Sequence, residues 1–218
     1  MQVTKRTFLK GLLATAVAGG VVSQASAKPQ ADLPAKWDRE ADVVILGYGG
    51  AGASAAITAK DAGADVVIFE KTAQGGGNTA VSSGGMMIPN NRERAITYLA
   101  KTYDFANSQK DQELLEAFVD EAMKSKDFLL SLAPDQKVYI YGDAIDKWRF
   151  RTPKGQKARG GDMLFNNYRY AVETVRKVPV VYNARGLQLI TQNDEVLGVW
   201  VEIDGKKQAV KARRGVVL

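Results

Sequence analysis

The residues best suited to chemistry in this 218-residue chain are three glycines and one carboxylate, which follow two short apolar runs. Gly47, Gly49 and Gly52 fit the pattern G-x-G-x-x-G directly after the β-branched run 43–46, which is typical of a buried parallel strand. In this pattern the first glycine permits a tight turn, the second lets a pyrophosphate approach the backbone, and the third lets helix and strand pack closely. The sequence therefore predicts a dinucleotide-binding turn.

The carboxylate is Glu70, which closes the second apolar run, residues 66–69. At this position a carboxylate can accept hydrogen bonds from ribose hydroxyls, and it disfavours a 2′-phosphorylated ribose because two negative groups would meet. A helix predicted over residues 50–62 would direct its free N–H groups and positive dipole end at the phosphates. Ala56 and Gly63 are small where close packing is expected. A glycine-rich β–α–β unit without a ligand is the weaker alternative.

A segment rich in glycine and small hydroxyl residues, 75–85, comes directly after the second strand. Such a composition is usual in flexible surface loops. It also suits a cradle in which backbone amides and small hydroxyls approach a flat ring or a diphosphate. Because the segment follows a dinucleotide turn, we favour the cradle.

The surrounding pattern predicts an α/β fold that positions these residues: a Rossmann-like domain with a parallel sheet and a small antiparallel β-meander, here truncated. A final apolar run, 215–218, is expected to be a strand without a neighbour. Because the core is also expected to lack its return segments, the isolated chain is expected to be poorly stable. Asp162 is expected to be the N-cap of its helix. The other predicted helices are 92–107, 112–132 and 163–176, and the other predicted strands are 178–182, 186–190, 196–203 and 208–212.

Together these motifs resemble the flavoprotein family of fumarate reductases, succinate dehydrogenase flavoprotein subunits and 3-ketosteroid Δ1-dehydrogenases. Within that family the chain is most similar to soluble, secreted bacterial members that hold FAD noncovalently. The resemblance implies that Ala51 contacts the diphosphate, that Glu70 holds the adenosine ribose and that the backbone near Gly186 meets adenine. The expected cofactor-binding residues are Gly47, Gly49, Gly50, Ala51, Gly52, Glu70, Lys71, Gly77, Asn78, Thr79, Ser83, Gly84, Gly85 and Gly186.

The resemblance also implies an oxidoreductase that acts on a carbon–carbon single or double bond next to a carbonyl or carboxylate, in the manner of fumarate reductase. A ketosteroid-type desaturase, a noncatalytic FAD- or nucleotide-binding fragment and an NAD-dependent enzyme are the alternatives. No spacing singles out a catalytic residue. The family's cap domain and final flavin-binding segment are expected to lie outside this chain, which by itself is expected to be inactive. The expected partners are a small-molecule substrate and a separate electron-donor protein.

Composition excludes several kinds of site, because the chain contains neither cysteine nor histidine. A histidine-linked flavin, a disulfide, a C-x-x-C-H haem attachment and a histidine or cysteine metal site are therefore excluded within these residues. The net charge is +6, of which Lys5, Arg6 and Lys10 supply three. The other basic residues are scattered, so a nucleic-acid partner is not expected.

The first 27 residues are typical of an export signal. Lys5 and Arg6 form a basic start, residues 11–22 form an apolar region too short to span a bilayer, and residues 25–27 offer a small-residue cleavage site. The basic start resembles a twin-arginine signal in which lysine replaces the first arginine, which predicts a periplasmic or otherwise exported protein. A general secretory signal or an uncleaved anchor is the alternative. The predicted divisions are an export signal, 1–27, a linker, 28–40, and a partial FAD-binding domain, 41–218.

Overall fold

The computed structural model describes residues 33–105, 111–132, 138–141, 147–150 and 160–218. Strand β1 (Arg39–Leu46) and strand β2 (Val66–Phe69) pair in parallel, in a register that runs from Val43 opposite Val66 to Leu46 opposite Phe69. Helix α1 (Gly50–Asp61) connects them. The predicted β–α–β unit is confirmed, with β1 beginning four residues earlier than the apolar run.

In the described part of the chain, the main sheet has six strands in the order β6–β2–β1–β9–β8–β7. The additional strands are β6 (Val180–Val181), β7 (Ala184–Gln192), β8 (Glu195–Ile203) and β9 (Lys206–Val217). Strands β6, β2, β1 and β9 are parallel neighbours, whereas β9, β8 and β7 form an antiparallel meander. The predicted fold class is confirmed, and the meander continues the parallel sheet.

Strand β9 corrects the expectation that the last apolar run has no neighbour. Residues 206–217 form one 12-residue strand, in which residues 206–211 pair with β8 and residues 210–212 and 215–217 pair with β1. Gly215 lies opposite Val43, and Val217 lies opposite Ile45. The run therefore continues the predicted strand 208–212. An unpaired last strand is thus no longer a reason to expect low stability of the isolated chain.

Five helices accompany the sheets in the described residues. After α1 they are α2 (Gly77–Val81), α3 (Arg92–Phe105), α4 (Gln112–Leu132) and α5 (Gly160–Arg169), and α5 continues as π-helical turns over Tyr170–Val175. The bounds of α4 are those predicted, whereas residues 106 and 107 of the predicted α3 lie outside the described residues. Because α5 begins at Gly160, Asp162 belongs to its first turn, and the N-cap prediction is wrong. None of these helices is long and apolar enough to cross a membrane.

A second sheet in the described residues has the strand order β3–β5–β4, with β3 at Met86–Met87, β4 at Val138–Tyr141 and β5 at Lys147–Phe150. Strand β5 pairs antiparallel with both neighbours. The segment 138–150 thus contributes strands β4 and β5, and its residues 142–146 lie outside the described residues.

The core of the main sheet lies on both of its faces. Ile45 of β1 packs in one apolar cluster with Ala53, Ala56 and Ile57 of α1, whereas the adjacent Val44 packs in a second cluster with residues of the meander. Burial on both faces explains why the first strands are continuous apolar runs.

Gly63 has a different role from the predicted one. Its φ is +81°, and a Cβ there would meet no atom within 4 Å. The end of α1 therefore requires the left-handed backbone conformation that glycine permits, and not a small side chain for close packing.

Candidate dinucleotide site

The glycine turn between β1 and α1 has the geometry that the motif predicts. Gly47 adopts a φ of +100°, which L side chains rarely adopt, and its N–H donates to the Phe69 carbonyl oxygen at 2.8 Å. A Cβ on Gly52 would collide with the Gly47 carbonyl oxygen and lie 3.3 Å from Cγ2 of Ile45. Gly47 thus permits the bend, and Gly52 permits the close approach of helix and strand.

The beginning of α1 presents backbone donors that the helix itself does not use. The first bond within the helix is donated by the Ala53 N–H to the Gly49 carbonyl oxygen, at 2.9 Å. The N–H groups of Ala51 and Gly52 therefore have no acceptor within the helix, and the N-cap Gly49 has no side chain to provide one. Ala51 is exposed. Two free donors at the positive end of the helix dipole are suited to a diphosphate.

Glu70 is next to this bend, and its carboxylate is held by three hydrogen bonds. Oε2 accepts from the Tyr48 N–H at 2.7 Å, and Oε1 accepts from the Thr72 N–H at 2.9 Å and from the Thr72 hydroxyl at 2.8 Å. The residue is only 7% exposed. Burial alone raises the pKa of this carboxyl, but these donors outweigh it and hold the pKa below its ordinary value. Glu70 is therefore charged at neutral pH.

A cavity of about 390 Å³ connects the turn, the acid and strand β7. Gly47, Glu70 and Gly186 all line it. A Cβ on Gly186 would lie 2.6 Å from Cδ1 of Leu46, so the backbone there is close to β1. The cavity is lined by Leu46, Gly47, Phe69, Glu70, Lys71, Ala184, Arg185 and Gly186. Its position is suited to an adenosine, with the ribose at Glu70 and the adenine near Gly186.

The first part of the glycine-rich segment lies directly beside the turn. The Gly76 N–H donates to the Tyr48 carbonyl oxygen at 2.7 Å, and Gly76 forms a parallel bridge with Gly49. The Gly50 N–H donates to Oγ1 of Thr79 at 3.0 Å. The structure therefore brings Gly77 and Thr79 of α2 next to the beginning of α1, whereas Asn78 is exposed and its role stays a prediction.

The second part of that segment, residues 83–85, has a different environment. Gly84 is buried with a φ of +67°, and a Cβ there would collide with the backbone of Gly160 at the start of α5. Ser83 and Gly85 are exposed. Gly84 is thus required for packing against α5, and the role of these three residues beside a flavin stays a prediction.

Two residues that bind Glu70 were not identified from the sequence. Tyr48 donates its N–H to the carboxylate, while its ring is fully buried and meets the Phe165 ring edge-on with centroids 5.1 Å apart. Its hydroxyl is buried without a hydrogen-bond partner, and burial raises the pKa of Tyr48 well above its ordinary value. Thr72 provides the other two donors. Short polar residues near strand ends often form local hydrogen bonds, but this general tendency does not distinguish Thr72 from the other polar residues of its loop.

A family model described as "FAD binding domain" matches residues 42–218. The chain belongs to this family. Its cofactor is FAD, and the site fits that group: free helix donors, a charged and oriented carboxylate and an adjoining cavity lie together. The predicted resemblance to fumarate reductases and ketosteroid dehydrogenases is confirmed. The noncovalent attachment and the secreted type stay predictions.

The alignments with relatives of known activity include most of this chain but less than half of each relative. It is 29% identical over 187 residues to the NADH:fumarate oxidoreductase of Klebsiella pneumoniae, a match over 81% of the chain and 20% of that protein. It is 28% identical to the acrylate reductase flavoprotein subunit of Shewanella woodyi, over 98% of the chain and 45% of that protein. The chain thus spans less than half the length of either relative.

A solved structure shows the same relationship. The 3-ketosteroid-Δ4-(5α)-dehydrogenase of Rhodococcus jostii RHA1, in complex with 4-androstene-3,17-dione, superimposes with a TM-score of 0.72 at 26% identity. The match covers 84% of this chain and 46% of that one. The chain is therefore an FAD-binding domain of the flavoprotein oxidoreductases related to fumarate reductase and ketosteroid dehydrogenase.

Proposed function

We propose that this chain is the FAD-binding part of an exported oxidoreductase that acts on a carbon–carbon bond next to a carbonyl or carboxylate. The observation that supports this most strongly is the position of Glu70 within hydrogen-bond distance of the glycine turn, beside a cavity of nucleoside size. The chain's membership of the FAD-binding family supports FAD as the ligand of that cavity.

In this proposal the chain's own groups bind and orient the cofactor. The N–H groups of Ala51 and Gly52 donate to the diphosphate, Glu70 accepts from a ribose hydroxyl, and the backbone near Gly186 contacts adenine. Asn78 and Thr79 lie along the diphosphate and the flavin. When bound, the flavin supplies hydride-transfer chemistry, and the protein supplies orientation and electrostatics.

We favour reduction as the direction. Two relatives are named for fumarate and acrylate, which are both unsaturated acids with the double bond next to a carboxylate. We also propose a separate electron-donor protein, which is supported by the relative that is named as the flavoprotein subunit of acrylate reductase. Ketosteroid desaturation is the second candidate, and the Rhodococcus jostii structure favours it.

Binding measurements test the cofactor part of the proposal. We expect the fluorescence of FAD to be quenched when it binds the 218-residue chain, and the melting temperature of the chain to rise. NAD at the same concentration should not raise the melting temperature. Saturable binding of FAD supports the proposal. A chain that is folded by circular dichroism and binds neither nucleotide, or binds NAD more tightly, contradicts it.

The export part of the proposal depends on residues 1–27. Fused to a reporter protein, residues 1–40 should direct it to the periplasm and be cleaved after Ala27. Replacing both Lys5 and Arg6 with glutamine should keep the reporter in the cytoplasm, because the basic start is needed for recognition. Cytoplasmic retention of the reporter behind the intact segment would refute export.

A further inference from the structure

Thr72 lies at the junction between the acid and the glycine-rich segment. Both its N–H and its hydroxyl are within hydrogen-bond distance of Oε1 of Glu70, at 2.9 and 2.8 Å. The hydroxyl is also 2.7 Å from the Gln74 carbonyl oxygen, in the loop that leads to the cradle. A hydroxyl has one proton to donate, and the charged carboxylate is the stronger acceptor.

These contacts leave little freedom to the Glu70 carboxylate. A carboxylate offers about four acceptor positions. Two are used by Thr72 on Oε1 and one by the Tyr48 N–H on Oε2. Both carboxylate oxygens of Glu70 are thus held by hydrogen bonds, and about one acceptor position is left for a ribose hydroxyl.

The backbone on either side of Thr72 is held independently of its side chain. The Asn183 N–H donates to the Thr72 carbonyl oxygen at 3.1 Å, and the Ala184 N–H donates to the Glu70 carbonyl oxygen at 2.8 Å. The Glu70 N–H donates to the Val181 carbonyl oxygen at 2.9 Å. A change of Thr72 to valine therefore removes a hydroxyl and keeps both the β-branched shape and the main-chain anchors.

We propose that Thr72 is a positioning residue for the cofactor: its hydroxyl holds Glu70 in the orientation that receives the adenosine ribose. This inference rests on the proposed binding of FAD and assigns a function to a residue outside the glycine motifs. Thr72 acts through Glu70 and not by direct contact with the flavin.

A change in the pKa of Glu70 distinguishes the proposed role of Thr72 from a purely structural one. Burial raises the pKa of the carboxyl, and the donors from Tyr48 and Thr72 lower it again to below the ordinary value. The other titratable or charged groups around it are Lys71, Arg185, Tyr48 and Tyr182. Loss of the Thr72 hydroxyl removes one of the lowering contacts, so the pKa of Glu70 rises. Protonation, and with it the loss of FAD affinity on acidification, then begins at a higher pH.

The test compares T72V, T72A and T72S with the wild-type chain and with T102V. Thr102 is exposed on α3 and donates its hydroxyl to the Leu99 carbonyl oxygen at 2.6 Å, so T102V is the same substitution away from the site. FAD affinity is measured by fluorescence titration from about pH 3 to about pH 8, since the pKa of Glu70 lies below its ordinary value, and unfolding is followed by circular dichroism.

We expect T72V and T72A to bind FAD about tenfold more weakly at pH 7, because one hydrogen bond to a charged group is lost. Their acid-side loss of affinity should begin at higher pH than in the wild type. T72S and T102V should bind as the wild type does. Equal affinity of T72V and wild type, a weakening without the pH shift, or failure of both T72V and T72A to fold would overturn the inference. A folded wild-type chain that does not bind FAD would overturn the proposed function itself.

Discussion

Two glycine-rich stretches of this molecule have similar compositions and different structural roles. In the turn at 47–52, the glycines bend the backbone and leave the N–H groups of Ala51 and Gly52 free next to a cavity. In the segment 83–85, the space beside Gly84 is filled by the start of α5. The comparison teaches that glycines in a sequence can serve either packing or the exposure of backbone donors, and that only their surroundings distinguish the two.

The largest effect is expected at Gly52. In G52A the added Cβ collides with the Gly47 carbonyl oxygen, which must separate α1 from β1. We expect the free energy of unfolding to fall by about 3 kcal/mol, as for overpacked sites, and FAD binding to be lost. Urea unfolding and FAD titration measure both. G215A is the control, since a Cβ on Gly215 would meet no atom within 4 Å.

At Gly84 the same substitution should affect stability more than binding. G84A forces a positive φ on alanine and places its Cβ against the Gly160 backbone. We expect a loss of about 2 kcal/mol in the free energy of unfolding, with FAD affinity of the folded protein within a few-fold of the wild type. If G84A unfolds as the wild type does but loses FAD, the contrast between the two stretches is wrong.

Replacing Glu70 with glutamine tests how much its negative charge contributes to FAD binding. In E70Q one carboxylate oxygen becomes an NH₂ group, which faces either the Tyr48 N–H or the Thr72 N–H as a second donor. We expect FAD to bind about 30-fold more weakly at pH 7, since a hydrogen bond to a charged acceptor contributes about 2 kcal/mol.

The pH dependence of the melting temperature provides a second test of the Glu70 carboxylate. The pKa of Glu70 is lower in the folded chain than its ordinary value, so its contribution to stability is present above about pH 4.5 and is lost as the pH falls through the folded pKa. E70Q should lack this part of the acid-side decline in melting temperature. A decline identical to that of the wild type would show that Glu70 is not the group that titrates.

The smallest effect is expected at Thr79, whose hydroxyl accepts from the Gly50 N–H at 3.0 Å. T79V removes this cap from α1 and should lower the free energy of unfolding by about 1 kcal/mol. T79S keeps the hydroxyl and should retain the stability of the wild type. Thermal unfolding of the two variants side by side measures the difference, and equal melting temperatures would exclude a capping role.

The local parts of the site could be predicted from the sequence, because their signals are contiguous. The spacing of Gly47, Gly49 and Gly52 after an apolar run indicates the turn, and the end of the second run indicates Glu70. The parts that depend on distant pairing could not be predicted. The alignment of 215–217 with β1 follows from a strand that bridges two neighbours, and no local pattern contains that information.

Some residues fit two structural roles that the sequence alone does not distinguish. Gly63 matches both a packing site and a helix end, and only its φ of +81° and its open surroundings distinguish them. Thr72 is one polar loop residue among several until its distance from Glu70 is known. The sequence predicts that α5 begins at residue 163, because Gly160 and Gly161 are poor helix formers. In the structure α5 begins at Gly160, and close packing of Gly161 against carbonyl groups of α2 overrides that propensity.

The central claim is that the beginning of α1 holds a diphosphate while Glu70 holds the sugar of the same FAD molecule. A crystal structure of the chain with FAD tests it most directly. We predict diphosphate oxygens within hydrogen-bond distance of the Ala51 and Gly52 N–H groups, and a ribose hydroxyl at the Glu70 carboxylate. FAD bound with its diphosphate away from the beginning of α1, or with its ribose out of reach of Glu70, would contradict the account.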